Sequence, residues 1–487
     1  MKRVNRRYSH SIYTIILIIV SLSLFICLEG KPNTAFCMSI EAEEKLGSQY
    51  LAELKQQIVL VDDDFAQEYI NDLGNYITSH IETKPFTFNF YIINDNQLNA
   101  FSAPGGHVFI YTGLIDLLDD LDEIAGVMCH EIAHVSLRHI SDQVEKGKIV
   151  DLATMAGVLA GAMLGGGGNA SDAIITGSLA AGQQLMLSYS RDDERQADTI
   201  GFNYASESGF DPSAMIGALT KLQQGQYSTD EVPPYLLTHP VESERMANIA
   251  SLLASYPPEP LNKESTEPFR KDYPLFRTII KAKCSEMHDA ERTFNAELQK
   301  DPDSSLAHLG IAIILKDREE YTGAIDHFQK AIKGLPDSLP ILRYMSETYQ
   351  LMGQNKEAID VLERALRLKS NDKGSLFLLA TAYQNLEKFS KAAEIYERLA
   401  FMEPVKDQLF YDLGMTYGKE DKLALAHYNF GIYFKRINKM QESRFHFQKA
   451  RELAGDDPVL QEKIKKATEG MDEKKPGRSD GGQQSRP

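Results

Sequence analysis

Cysteine is scarce in this chain: the four, Cys27, Cys37, Cys129 and Cys284, are too few in 487 residues for a disulfide framework. Basic charge is also short, with 52 Lys+Arg against 69 Asp+Glu and a formal net charge of −17. Phosphate neutralisation needs a basic surface, so no nucleic-acid partner is expected. Net charge by itself selects no substrate. Long apolar runs are missing beyond the N-terminus. The small, apolar, Gly-rich stretch 150–187 is interrupted by Asp151, Asp172 and the run Gly165 to Gly168. Its pieces fall short of the ~20 residues of a membrane span, and two helices joined by a loop are expected instead. The remaining composition, 43% hydrophobic and 25% charged, is that of a globular protein with a real core. Its length suggests about three units of ~150 residues.

The start of the chain is different. Lys2, Arg3, Arg6 and Arg7 precede an apolar run from Ile12 to Leu28, broken only by Thr14, Ser21 and Ser23. That is the pattern of an export signal, assigned to residues 1–37 and either cleaved near Ala35-Phe36-Cys37 or kept as an N-terminal anchor. Helices are predicted over 39–82 from apolar positions three and four apart, Leu51, Leu54, Ile58 and Tyr69, Leu73, Ile77. Phe86 to Ile93 is aromatic and β-branched and reads as a strand. His107 to Tyr111, after the turn residues Pro104-Gly105-Gly106, reads as another. Further helices are expected over 114–145 and 191–208, and a Pro-rich linker over 256–274.

Beyond that linker the chain repeats itself. Ala290, Ala324, Ala358, Ala392 and Ala426 lie 34 residues apart, and Phe294, Phe328, Leu362 and Tyr396 follow the first four at a distance of four. Pro302, Pro336 and Pro404 keep the same step, with Ser370 in the missing place, and Tyr349, Tyr383 and Tyr417 form another series. This is the tetratricopeptide pattern of stacked helix pairs. At Ser443, Phe447 and Ala450 the phase slips, as a capping terminal repeat would make it. The polar stretch 470–487 is expected to be disordered.

One motif carries chemistry. Residues 130–134 read His-Glu-Ile-Ala-His inside a helical window. Positions i and i+4 share a face, so His130 and His134 can offer nitrogens to one ion, with Glu131 near enough to act on a water. This is the HExxH zinc site, in which a metal makes water nucleophilic near neutral pH and the glutamate carries its proton. Cys129 reads as a packing residue, and His139, five positions beyond His134, as a residue of another face. The third ligand is open at this stage. In the cluster from Ser190 to Asp198, spacing alone leaves Asp192, Asp193 and Glu194 as alternatives.

HEIAH at 130–134, SRDDERQAD at 190–198, THPVESERMANI at 238–249 and NAFSAPGGHVFIYTGL at 99–114 together resemble the metallopeptidase family that contains HtpX and the CAAX prenyl protease. With an export signal in front and tetratricopeptide repeats behind, the chain is most similar to the family's periplasmic, BepA-like branch. The likeness covers residues 40–255 as peptidase and 275–455 as repeats. It implies a mostly α protein: a gluzincin-type α+β metallopeptidase domain with a small β-sheet, then an α-solenoid. It implies one zinc ion per chain, held by His130, His134 and Glu194, with Glu131 as catalytic base. Asp198 matches the family's aspartate beside a ligand histidine, and Arg245 matches its arginine. His239 matches a histidine near the zinc that either stabilises the oxyanion or fills the open coordination position and keeps the enzyme latent. Arg195-Gln196 departs from the acidic residue many members carry there.

The function this resemblance implies is an exported, periplasmic zinc endopeptidase that degrades unfolded or misassembled outer-membrane proteins. Its repeats would dock substrates or a protein partner, the outer-membrane assembly machinery among them, and lend chaperone-like help. The alternative is a repeat-based assembly scaffold or chaperone with a latent peptidase site. A strand such as His107 to Tyr111 at the cleft edge would bind an extended substrate through main-chain hydrogen bonds, and the segment 161–168 would flank the cleft as a lid.

Overall fold

The computed structural model describes residues 38–145, 189–229, 232–240, 243–255 and 263–471. The N-terminal apolar run, the Gly-rich stretch with the expected lid, and the tail from residue 472 lie outside them. Among the described residues no helix is long and apolar enough to cross a membrane. The chain forms two compact units. One comprises the residues up to Asp62 with Gln67–Arg270, the other Asp63–Ala66 with the chain from Lys271 onward.

In the first unit α1 (Ile40–Leu54) starts at Ser39, whose hydroxyl accepts from the Ala42 N–H at 3.1 Å. The next helix, α2 (Asp64–Ser79), buries Ile70, Leu73 and Ile77 on one face, the three-and-four spacing seen in the sequence. Strands β1 (Asn89–Ile93), β2 (Ala100–Ala103) and β3 (His107–Tyr111) form a sheet in the order β1-β3-β2. Within it β3 runs parallel to β1 and antiparallel to β2. The β2–β3 turn needs its glycines: Gly105 and Gly106 have φ of 76° and 91°, and a Cβ on Gly106 would lie 2.4 Å from the Thr87 carbonyl oxygen.

The expectation that His107 to Tyr111 forms the cleft edge is corrected here. That strand is the central one, and all five of its residues are buried. An unbroken HVFIY run without polar alternation is what burial on both faces demands. The edge beside the HExxH helix belongs, among the described residues, to β2.

The helical stretch expected over 114–145 is three helices: α3 (Thr112–Leu117), α4 (Leu121–Ser136) and α5 (His139–Glu145). A reciprocal capping box between Asp120 and Glu123 starts α4, and every residue from Leu121 to Val135 is buried. The chain breaks at Arg138, whose φ is 58°. A second capping box, Ser190 with Asp193, starts α6 (Arg191–Glu207), which packs against α4. Then come α7 (Ala214–Thr229), α8 (Pro234–Thr238) and α9 (Ser243–Ser255). Of the expected linker 256–274, residues 256–262 lie outside the described ones, and the rest is helical within α10 (Lys263–Cys284). Its prolines suggested a break, but buried Thr266, Tyr273, Phe276 and Ile280 recur at helical spacing through them.

The second unit is a stack of helical hairpins. It runs through α11 (Met287–Lys300), α12 (Ser305–Asp317), α13 (Tyr321–Gly334), α14 (Leu339–Leu351), α15 (Asn355–Leu368), α16 (Lys373–Asn385) and α17 (Phe389–Leu399). It ends with α18 (Asp407–Lys419), α19 (Leu423–Arg436), α20 (Met440–Leu453) and α21 (Pro458–Thr468). The alanine series is buried throughout, as are Phe294, Phe328, Leu362 and Tyr396. The phase slip has a structural cause. A Cβ on Gly414 of α18 would meet the Phe430 ring of α19 at 2.8 Å, and one on Gly431 of α19 would meet Phe447 of α20 at 2.7 Å. Helix α19 thus closes one hairpin and opens the next, so Ser443 and Phe447 follow Ala426 and Phe430 after 17 residues, half the repeat. Helix α21 then covers Phe447 and Ala450 with Leu460 and Ile464.

Candidate metal centre

His130 and His134 stand one turn apart on α4, and α6 sets Glu194 beside them. His130 Nε2 and His134 Nε2 are 3.0 Å apart, and Glu194 Oε1 lies 3.5 Å from His134 Nε2. His239, at the C-terminal end of α8, brings Nδ1 to 2.9 Å from Glu194 Oε1 and 3.4 Å from His130 Nε2. The four side chains are all but fully buried, and one donor atom from each lies within 4.8 Å of the others. A four-coordinate ion with bonds of 2.0–2.1 Å has donor–donor edges of about 3.3 Å. Four of the spacings, 2.9 to 3.5 Å, lie near that edge, and all of them are within 4.8 Å.

Behind the donors lies a charge network. His130 Nδ1 is 3.0 Å from Asp198 Oδ1. Asp198 accepts from Arg245 Nε and Nη2 at 2.8 and 2.6 Å, and Arg245 Nη1 lies 2.7 Å from Glu194 Oε2. Burial works against the Asp198 carboxylate, but Arg245 and His130 outweigh it and hold its pKa at about 2. Burial likewise opposes ionised Glu194, and His239 with Arg245 reverses the balance to well below the usual carboxylate range. Burial brings His134 well below its ordinary value and so keeps it neutral, the form that ligates metal. His239 is raised, since the Glu194 and Glu131 carboxylates overcome its burial.

Glu131 is fully buried, and neither carboxylate oxygen has a hydrogen-bond partner among the described residues; Oε1 lies 3.5 Å from His239 Nε2. An unpartnered buried carboxylate is costly in a finished core, whereas a site that works on water and a cation needs one. The alternatives for the third donor separate by direction. Asp192 is exposed and pairs with Arg195 at 2.8 Å, Asp193 turns back to cap Ser190, and Glu194 alone faces the histidines. Cys129 is buried outside the donor set, its thiol pushed up by burial.

Three neighbours were not legible in the sequence as parts of this site. His139, expected on another face, is buried with Nδ1 2.9 Å from His134 Nδ1, because the break at Arg138 swings it back. Tyr189 stacks on His134 with ring centroids 3.8 Å apart, and Tyr235 on His239 at 4.5 Å. A lone tyrosine leaves no periodic or spacing signal from which to predict such contacts.

The approach of α6 to α4 depends on Gly201, where a Cβ would lie 3.1 Å from both Cα and N of His130. Gly201→Ala is expected to push α6 outward and loosen Glu194 and Asp198 from His130. Overpacking of this kind costs about 1–3 kcal/mol. A lower melting temperature with weakened metal retention, measured together, is the expected result; a wild-type value of both would show that the helices yield freely.

Residues 66–253 match peptidase family M48, and residues 286–338, 345–372 and 374–404 match tetratricopeptide repeats. The beta-barrel assembly-enhancing protease of Escherichia coli (strain K12) is 31% identical over 372 residues, 75% of this chain and 74% of that protein. Its namesake in Yersinia pestis is 29% identical over 373 residues, 75% of each. Metalloprotease LoiP of Escherichia coli is 27% identical over 233 residues, 45% of this chain and 84% of LoiP. The likeness to the first two runs through the peptidase domain into the repeats, well beyond a shared motif. The chain belongs to peptidase family M48, a metallopeptidase with tetratricopeptide repeats behind its catalytic domain.

Proposed function

We propose that this chain is an exported zinc endopeptidase of the periplasm that degrades misfolded or misassembled outer-membrane proteins. Its repeats dock substrates or a component of the assembly machinery and lend chaperone-like help. The observation that carries the reading is the buried Glu131 carboxylate, which accepts no hydrogen bond among the described residues, beside four converging donor atoms. The substrate class rests on the names of the two assembly-enhancing relatives.

His130, His134 and Glu194 are the residues that would hold zinc, which when bound supplies Lewis acidity to water and to the scissile carbonyl. Glu131 takes a proton from the attacking water and returns it to the leaving amine. Asp198 and Arg245 keep His130 and Glu194 oriented. The edge strand β2, beside α4, offers main-chain groups to an extended peptide with little regard for its sequence, which suits unfolded chains.

His239 favours a second reading, an assembly scaffold or chaperone with a latent peptidase. Its Nδ1 makes a fourth protein donor, and an open position for substrate then requires this residue to withdraw. The purified full chain is expected to cleave an unfolded model protein, to stop when a chelator removes the metal and to resume with Zn²⁺. Glu194→Ala should lose the metal, and full zinc retention in that variant would remove the ligand assignment. Zinc retained without cleavage would support the latent reading, and His239→Ala is then the variant expected to release activity.

A further inference from the structure

We infer that His139 is a positioning residue of the metal centre, fixing the ring of His134 through a hydrogen bond between their Nδ1 atoms. The inference rests on the metal site proposed above.

The two ligand histidines are backed differently. His130 has a carboxylate behind it, with Asp198 Oδ1 3.0 Å from Nδ1. Among the described residues His134 Nδ1 has no carboxylate at that distance; it faces His139 Nδ1 at 2.9 Å. Since Nε2 of His134 points into the donor cluster, a neutral ligating ring carries its proton on Nδ1. That proton is donated to His139, so Nδ1 of His139 is the acceptor and its own proton sits on Nε2. There Asp193 Oδ1 stands 4.0 Å away, while the other carboxylate oxygen accepts from the Ser190 N–H at 3.0 Å. His130 thus has a carboxylate directly behind it, whereas His134 has an imidazole, with Asp193 beyond that ring and outside hydrogen-bond reach of it. The capping box of α6 holds the outer carboxylate still.

Sequence spacing hides this arrangement, because i+5 on a continuous helix points away. The left-handed Arg138 ends α4 and lets His139 fold back under His134. Both rings are almost wholly buried, with relative exposures of 1% and 4%, so bulk water is a poor substitute partner.

The test uses the full chain loaded with Zn²⁺. His139→Phe keeps a ring but removes the acceptor, and is expected to weaken zinc retention against a competing chelator by about 10–100-fold. At saturating zinc its kcat should fall with KM unchanged. His139→Asn places an amide oxygen near the lost nitrogen and is expected to recover most of the loss, which a purely space-filling role would not predict. A variant-free readout is the ¹⁵N spectrum of the zinc-loaded wild type, where a coupling across the His134–His139 hydrogen bond is expected. A folded His139→Phe protein with wild-type zinc retention, or a zinc-loaded wild type without that coupling, would overturn the inference alone. A wild-type chain that binds no zinc would overturn it together with the metal site beneath it.

Discussion

Replacing Glu131 by Gln is expected to lower kcat for cleavage of an unfolded protein by about 10²–10⁴-fold, the range lost with a general base. Zinc content and melting temperature should stay near those of the wild type. The amide has the size of the carboxylate, and no hydrogen bond within the described residues is lost with the charge. What disappears is the proposed proton acceptor, on a residue whose backbone is locked in a helix buried from Leu121 to Val135. Side-by-side turnover and zinc quantification check this. Unchanged turnover in a folded, zinc-loaded variant would mean that another group carries the proton.

Arg245→Met is expected to destabilise the metal-free protein by about 3–5 kcal/mol near neutral pH, the usual effect of stripping one partner from a buried ion pair. The guanidinium lies between Glu194 and Asp198, both nearly inaccessible, and its charge offsets their burial. The pH dependence has a definite sign. Asp198 is held at about 2 in the folded chain, below an unfolded value of about 3.9. Its contribution is therefore complete above pH ~4 and is lost as the pH falls towards 2. The gap between wild type and variant should be widest near neutrality and close in acid, as the carboxyls gain protons and need no cation. Denaturant titrations of the metal-free proteins at pH 7 and at a series of pH values from about 4 down to about 2 read this out. An unchanged midpoint at pH 7 would show that water or His130 compensates the carboxylates without Arg245.

The extent to which the site was legible follows from which physics set each residue. His130, Glu131 and His134 needed only the helical period, since i and i+4 share a face whatever the surrounding fold. Glu194 could not be told from Asp192 and Asp193 by spacing. The choice among them came with the family resemblance, and its geometry comes from the capping box that turns Asp193 backward and leaves Glu194 facing α4. His139 escapes the helical period for the opposite reason: one left-handed residue, Arg138, ends the period before it.

The sequence by itself determined the helical character of both units, the hairpin stack with its 34-residue step, and the pair of histidines proposed to hold the metal. Each is written in local periodicity, and a short-range pattern survives any long-range arrangement. Only the tertiary structure decided that His107 to Tyr111 is the inner strand, because strand order is a non-local pairing to which a run of apolar residues is indifferent. It alone brought His239 to His130 across more than a hundred residues and Arg245 to Glu194 and Asp198, and it alone made α19 serve two hairpins. Packing of one buried surface against another sets these relations. A sequence read along its own length carries the faces that must be buried, but not which faces meet.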